Sequence, residues 1–314
     1  MSTISEVFQP SPSFRFQSNM IPGYAMQVMC IAFYSCVVIV VHRIKRTDCQ
    51  AAPFYTLFFY VGLVDIGHAC ALFWMCFEHE VIRGEVLYPI TFICSLATCF
   101  CYLVNIIGNG LMAINRYSAT YLGHHQHFSK NRTTAYLTAT FILAAISSIP
   151  AIFRERTYLL IDGEWTFTLT PIWLIHLQRY IIIGWMIVYF IVAPVFSIMA
   201  WLRIKNFIHS VRYHKSDHTI IHFNVAHIFC HFLILCFEIF EVYKPNNALI
   251  SFVHEHFYVF LFGAIVFNGF SIVFTTKRVR QGLTKLVCRV TEFGRGKVSS
   301  SNPTTQIFQV SGRF

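Results

Sequence analysis

One carboxylate lies deep inside a long apolar segment of the sequence. Asp65 is about twelve residues into the run 53–77, and a buried acid in such a run is energetically costly and commonly functional. It can bind a cation, pair with a polar neighbour such as Asn105 or Asn268, or be protonated. A neutral aspartic acid with a single hydrogen bond is the purely structural alternative, and all four remain open.

A second set of polar residues recurs at steps of three and four along the run 86–114 and just beyond it. The set is Ser95, Thr98, Tyr102, Asn105, Asn109 and Arg116. At 100° per residue these positions form one stripe of a helix, which must face the protein interior. We expect Ser95, Thr98 and Tyr102 to be open to a ligand from outside. Asn105 and Asn109 fit either a functional polar core or plain hydrogen bonding between helices.

A third set consists of His227, His231 and Glu238, which share one face of the run 219–242. Imidazole and carboxylate groups in a low dielectric either pair or line a wet cavity that a ligand can reach. Hydrogen bonding between helices is again the alternative. A metal ion would need a further ligand beside the two histidines, so we expect no metal site and no cofactor.

The composition explains where these groups must lie. Of the 314 residues, 56% are hydrophobic, 17% are aromatic and only 12% are charged, against roughly 25% charged in a soluble domain. A soluble fold of this size cannot hide so much apolar surface. The composition therefore excludes a soluble enzyme, a disordered chain and a disulfide scaffold, and it indicates a membrane protein.

Seven apolar runs are long enough to cross a bilayer at 1.5 Å per residue. They cover about 22–41, 53–77, 86–114, 134–153, 180–202, 219–242 and 250–274. Because only a helix satisfies its own backbone in lipid, the sequence predicts an all-α bundle of seven transmembrane helices. Most of the 24 lysines and arginines lie on one side of the runs, which places the N-terminus outside and the C-terminus in the cytoplasm.

The remaining segments complete the predicted domain organisation around a membrane domain at 22–276. Residues 1–21 form a short extracellular tail, 277–293 an amphipathic basic helix on the inner membrane surface, and 294–314 a disordered cytoplasmic tail. The helix interpretation rests on apolar residues that share one face, among them Val279, Leu283 and Leu286, with lysine and arginine alongside.

The sequence Asn115-Arg116-Tyr117 closes the third predicted helix at its cytoplasmic end. With seven runs and an outside N-terminus, this motif resembles the G-protein-coupled receptors. The chain is also similar to the nematode serpentine chemoreceptors of the gamma superfamily, class V in particular. This similarity rests on the longer segment Asn115-Arg116-Tyr117-Ser118-Ala119, on the runs rich in Phe, Tyr and Cys, and on the short loops. The resemblance covers about residues 20–293.

The resemblance implies a chemosensory receptor of the plasma membrane, in sensory cilia, that binds a small molecule in the outer half of its bundle and activates a heterotrimeric G protein. Arg116 resembles the arginine that engages the G protein, and Asp65 resembles the sodium-site acid of the second helix. Asn115 replaces the usual acid, so a resting partner for Arg116 must lie elsewhere, and Asp217 is one candidate.

Two further features depart from that family. The segment from Asn268 lacks the usual proline and tyrosine, and no cysteine lies between Arg154 and Leu177 for the usual disulfide. A disulfide between Cys76 and Cys94 is considered in its place.

The rival interpretation is a transporter or channel that moves protons or ions past Asp65, His227, His231 and Glu238. Transporters tend to show internal repeats and helices interrupted at matching positions, and neither is evident here. No nucleophile–base pair or metal-ligand pattern stands out either, so we do not expect an enzyme.

Overall fold

The computed structural model describes residues 13–14, 18–47, 52–121, 128–161, 164–207, 216–243 and 257–294. Helices dominate this part of the chain. They are α1 (Ile21–Thr47), α2 (Ala52–Glu80), α3 (Tyr88–Tyr121), α4 (Lys130–Ser147), α5 (Ile149–Ile152), α6 (Ile172–Phe207), α7 (Ser216–Tyr243), α8 (Phe257–Thr275) and α9 (Lys277–Gly294). Six of the seven apolar runs are helical over their described residues, and the run 134–153 is helical except for turns at Ser148 and Phe153.

Four of these helices are long and apolar enough to cross a membrane, judged by length and composition. Their qualifying segments are Ile21–Thr47, Pro53–Glu80, Glu85–Ala119 and Ile172–Arg203. A fifth follows if the bent pair Phe260–Thr275 and Lys277–Arg289 is taken as one span. The chain is therefore an α-helical, multi-pass membrane protein.

The run 134–153 forms two helices instead of one. A turn at Ser148 separates α4 from α5, and Pro150 follows at the start of α5. Proline has no amide hydrogen with which to continue the preceding helix, so the break lies where the sequence requires one. The side chain of Ser148 donates to the carbonyl of Ala144, at 2.8 Å, and so helps to close α4.

The helix α3 is central to the bundle, because it packs against α2, α4 and α6. Its approach to α2 depends on Gly108. A Cβ atom at that position would lie 2.5 Å from Cγ2 of Val61, too close for any side chain. Small residues allow such close approach between membrane helices, where van der Waals contact replaces the hydrophobic effect as the driving force.

A β-hairpin lies at one end of the bundle, which the all-α prediction missed. Strand β3 (Glu155–Ile161) pairs antiparallel with β4 (Glu164–Thr170), and a shorter ladder joins β1 (Ser13–Phe14) to β2 (Ile82–Arg83). A search for runs of about 20 apolar residues cannot detect seven-residue strands. We call the end of the bundle that carries β3 and β4 the hairpin end, and the opposite end the Arg116 end.

The last helix leaves the bundle sharply. The axes of α8 and α9 differ by 100°, and α9 packs back along α1, where Val279 is fully buried. A Cβ atom at Gly282 would lie 2.4 Å from Val40. The Arg280 guanidinium donates to the carbonyls of Val273 and Phe274 at the bend, which satisfies backbone acceptors left free at the end of α8.

The helix α9 covers the segment 277–293, for which the sequence predicted an amphipathic helix. The predicted tail 294–314 lies outside the described residues except for its first residue, as do residues 1–12 and 15–17 of the predicted N-terminal tail and the start of the last apolar run, 250–256.

Candidate functional site

A fully buried carboxylate is the centre of the candidate site. Asp65 accepts three hydrogen bonds: from the Tyr34 hydroxyl at 2.7 Å, from Nδ2 of Asn105 at 2.6 Å and from Nδ2 of Asn268 at 3.0 Å. All four side chains are at most 2% exposed. We call these four residues the Asp65 cluster. Of the alternatives left open by the sequence, the structure forms the pairing of Asp65 with both Asn105 and Asn268.

Four different helices supply the Asp65 cluster. Tyr34 comes from α1, Asp65 from α2, Asn105 from α3 and Asn268 from α8. The Tyr34 ring can reach the carboxylate because its neighbour is a glycine, since a Cβ atom at Gly269 would lie 2.5 Å from Tyr34 Cδ2. One acceptor thus ties together helices that lie far apart in the sequence.

The hydrogen bonds continue from this cluster to two further helices. Nδ2 of Asn109 donates to Oδ1 of Asn105 at 3.0 Å and lies 3.3 Å from Nε2 of His227. Nδ1 of His227 lies 3.0 Å from the hydroxyl of Tyr189, on α6. Because the amide nitrogen Nδ2 of Asn109 can only donate, Nε2 of His227 accepts, and Nδ1 carries the hydrogen and donates to Tyr189. A continuous polar chain therefore runs from α6 to Asp65.

A group of rings extends the chain towards the hairpin end. The ring of His231 lies 4.4 Å from that of His227 and 5.1 Å from that of Tyr189. Tyr102 packs against both His231 and His68, each at 6.1 Å. All of these side chains are buried. The structure thus brings the predicted residues Tyr102, His227 and His231 together.

Two of the other predicted ligand residues, Thr98 and Glu238, have polar partners outside this group, and Glu238 also lies within electrostatic range of Tyr102. The Thr98 hydroxyl donates to the carbonyl of Cys94 within its own helix, at 2.8 Å, and Ser95 is half-buried higher on α3. Glu238 forms an ion pair with Arg179 of α6 at 3.0 Å, so its carboxylate is directed to that cation.

A second buried carboxylate holds the hairpin to the bundle. Glu78, at the end of α2, is 1% exposed. It pairs with Arg156 at 3.2 Å and accepts from the Tyr158 hydroxyl at 3.1 Å. Burial raises the pKa of Tyr158, and the negative charge of Glu78 acts in the same direction. We call Glu78, Arg156 and Tyr158 the hairpin-end cluster.

Arg154 lies next to this cluster and to the Arg179–Glu238 pair. Burial lowers the pKa of its guanidinium, and the positive charges of Arg179 and Arg156 act in the same direction. The negative charge of Glu238 acts the opposite way. Arg154 therefore lies within electrostatic range of the same carboxylate that Arg179 contacts.

At the Arg116 end, the predicted motif is packed among aromatic rings. The guanidinium of Arg116 lies 3.5 Å from the centroid of the Phe54 ring, on the first turn of α2, a cation–π contact. Tyr117 packs against Phe196 at 5.0 Å, and Asn115 is buried. The side chain of Asp217, considered as a resting partner of Arg116, lies outside the described residues.

The disulfide considered between Cys76 and Cys94 is not formed, since both are free thiols in the structure. Cys94 lies within electrostatic range of Cys70 instead. Six residues separate Cys70 from Cys76, which amounts to about 240° around a helix after complete turns are removed. Cys70 and Cys76 therefore lie on different sides of α2, and Cys94 is on the side of Cys70. Among the described residues, no group of three metal-binding side chains is close enough to hold an ion.

Sequence reasoning missed several residues of these clusters. Tyr34, Tyr189 and Phe54 are aromatic residues in apolar runs, where packing alone explains them. His68 was a usable signal, because it follows Asp65 by three residues and so lies on the same face of α2. For the hairpin, the signal was the alternating pattern of Glu164–Thr170 directly after Asp162-Gly163, a typical turn sequence.

The fold and the site define an α-helical membrane protein with a buried polar core that connects its helices. Comparison with protein-family models gave no match, and comparison with curated proteins gave none either.

Proposed function

We propose that the protein is a G-protein-coupled chemosensory receptor that binds a small molecule between its helices. The observation that carries the proposal is the polar face of α3. Asn105 and Asn109 join it to the Asp65 cluster and to His227. Arg116 lies seven residues, about two turns, beyond Asn109 on the same helix. A change at His227 is therefore coupled to Arg116 through one rigid element.

The proposal includes a topology of seven transmembrane helices in the plasma membrane. The basic segments place the Arg116 end in the cytoplasm and the hairpin end outside. The similarity to nematode serpentine receptors adds sensory cilia and a heterotrimeric G protein as partner. In this arrangement the ring group of Tyr102, His227 and His231 lies on the side from which a stimulus enters.

The proposed mechanism is a shift between two populations. A ligand that binds the active arrangement of α6 and α7 more tightly than the resting one displaces the equilibrium by that difference in affinity. In the resting state Phe54 holds Arg116 against α2. In the active state α6 and α7 move outward at the Arg116 end, and Arg116 leaves Phe54 to contact the G protein.

This mechanism can be tested without knowing the ligand. Cells carry the protein with a promiscuous G protein, and second-messenger production is compared at equal surface expression. We expect Phe54→Leu to raise basal signalling, because it removes the ring that holds Arg116. Adding Arg116→Ala to that variant should return signalling to the background of cells that lack the protein. Arg132→Ala, an exposed arginine on α4, is the matched control and should have no effect.

Two results would contradict the proposal. One is basal signalling by Phe54→Leu that persists after Arg116→Ala is added. The other is a Phe54→Leu variant that reaches the surface normally and signals no more than the unmodified protein.

The polar chain also favours a second candidate, a proton or ion transporter. Tyr189, His227, Asn109 and Asn105 form an unbroken series of hydrogen bonds that ends at Asp65, and buried acids and histidines line the ion and proton paths of transporters. Ion or proton flux in proteoliposomes that contain no G protein, abolished by Asp65→Asn, would favour this candidate over the receptor.

A further inference from the structure

Two buried histidines near Tyr102, His68 and His231, have no hydrogen-bond partner among the described residues. His68 is 0% exposed and His231 is 2% exposed. Neither Nδ1 nor Nε2 of either ring forms a hydrogen bond with any residue that the structure describes. A buried polar atom without a partner is rare in native proteins, and each one calls for an explanation.

The neighbouring histidine on the same helix provides the contrast. His227 is one turn from His231 and equally buried, and both of its ring nitrogens have partners, Asn109 and Tyr189. The interior of the bundle can therefore satisfy a histidine where one is needed for structure. Among the described residues nothing supplies His68 and His231 with a partner, which leaves both imidazoles available to a bound molecule.

The two imidazoles contact the same tyrosine. Tyr102 packs 6.1 Å from His68 and 6.1 Å from His231, at interplanar angles of 61° and 46°. Its hydroxyl donates to the sulfur of Met186 at 3.5 Å, and a thioether is only a weak acceptor. The polar atoms of His68, Tyr102 and His231, on α2, α3 and α7, therefore have no strong hydrogen-bond partner among the described residues.

The residues around His68, Tyr102 and His231 determine whether a molecule bound there can carry a charge. Among the described residues, no charged side chain forms a hydrogen bond or ion pair with any of these three residues. Asp65 already accepts three hydrogen bonds, and Glu238, which lies within electrostatic range of Tyr102, is already paired with Arg179. An ammonium or a carboxylate would therefore be buried without a counter-ion, which is costly. A neutral group with a hydroxyl or carbonyl suits imidazoles that each offer one donor and one acceptor.

We propose that His68, Tyr102 and His231 form the binding site for an uncharged polar small molecule, such as an alcohol or a ketone. Its hydroxyl or carbonyl group bonds the imidazoles, and its apolar part packs on the Tyr102 ring. The role of this molecule as the stimulus rests on the proposed receptor function, whereas its binding does not. The contact of His231 with His227 then connects the site to the polar chain that ends at Asp65.

The test measures binding to the full-length protein in lipid nanodiscs, with no G protein present. Thermal unfolding is followed with benzyl alcohol and acetophenone as neutral probes, and with benzoate and benzylamine as charged probes of similar shape. We expect the neutral probes to raise Tm by about 2–4 °C at tenfold excess over their Kd. The charged probes should leave Tm unchanged.

Variants assign the effect to the site. His68→Leu and His231→Leu should abolish the rise in Tm, while His176→Leu, a half-buried histidine on α6, should retain it. Without probe, His68→Leu should not lower Tm, because it removes two unsatisfied nitrogens from the interior. The proposal is overturned if neither neutral probe raises Tm, if both histidine variants retain the rise, or if His68→Leu alone unfolds several degrees earlier. Probe binding without any second-messenger response would instead reject the receptor function and leave the site intact.

Discussion

Two carboxylates of α2 are buried to the same extent and stabilised in different ways. Asp65 is 0% exposed and Glu78 is 1% exposed, and each accepts a hydrogen bond from a tyrosine hydroxyl. The remaining partners of Asp65 are neutral amides from α3 and α8. The additional partner of Glu78 is the guanidinium of Arg156.

The difference follows from where the two residues lie in the bundle. At its end, near water, a salt bridge forms with a cation that a neighbouring strand supplies. At its centre, a cation would have to be buried as well, so several weak neutral donors share the carboxylate instead. One consequence is that the Asp65 cluster connects four helices, whereas the hairpin-end cluster connects one helix to one strand.

The largest effect is expected from a substitution that breaks the Asp65 cluster. Asp65→Leu leaves the donors of Tyr34, Asn105 and Asn268 without an acceptor, at about 1–3 kcal/mol each. We expect the greatest fall in Tm of any substitution discussed, measured by thermal unfolding in detergent. Tyr34→Phe removes one donor and leaves two bonds in place, so it should cost about 1 kcal/mol. Equal stability of the two variants would show that the cluster does not hold the helices together.

The second-largest effect is expected from a substitution in the hairpin-end cluster. Arg156→Gln leaves Glu78 with a weaker, neutral donor, and breaking a buried ion pair costs about 3 kcal/mol, less where water can enter. We expect a smaller loss of Tm than for Asp65→Leu, together with faster proteolysis within β3 and β4. Tyr158→Phe keeps the cation and is the control. If Arg156→Gln destabilises the helices as much as Asp65→Leu does, the two clusters have the same role.

The smallest effect is expected for the ion pair between Arg179 of α6 and Glu238 of α7. Arg179 is 24% exposed in its side chain, and exposed ion pairs contribute about 0–1 kcal/mol. Arg154 also lies within electrostatic range of Glu238, so it can take over part of the interaction. We expect Arg179→Gln to lower the unfolding free energy by about 1 kcal/mol or less. Combining it with Arg154→Gln should cost more than the sum of the single changes, and simple additivity would contradict a shared carboxylate.

The sequence allowed a good part of the fold to be predicted, for a clear physical reason. A helix in lipid needs only an apolar run of sufficient length, so the helices could be located from composition alone. The polar stripe of α3 could be assigned to the interior in the same way, and the structure gives Asn105 and Asn109 hydrogen-bond partners there. The number of spans and their orientation remain predictions.

The partners across helices could not be predicted, because they depend on packing distance. Tyr34 reaches Asp65 because Gly269 leaves room for the tyrosine ring. Neither Tyr34 nor Gly269 is distinctive in the sequence. Phe54 covers Arg116 through the relative placement of α2 and α3, which no local pattern encodes. The hairpin was missed for another reason, since a long hydropathy window averages over short strands.

The contacts of α1 with α8 and α9 have a consequence for biosynthesis. The helix α1 leaves the ribosome long before α8 and α9, against which it packs through Tyr34 beside Gly269 and Val40 beside Gly282. Asp65 and Asn268 are separated by 203 positions, so the carboxylate enters the bilayer long before its third donor has been translated. Assembly of these contacts must therefore wait until α8 and α9 have been synthesised, and a nascent chain that stops before α8 presents an incompletely satisfied acid to the quality-control machinery.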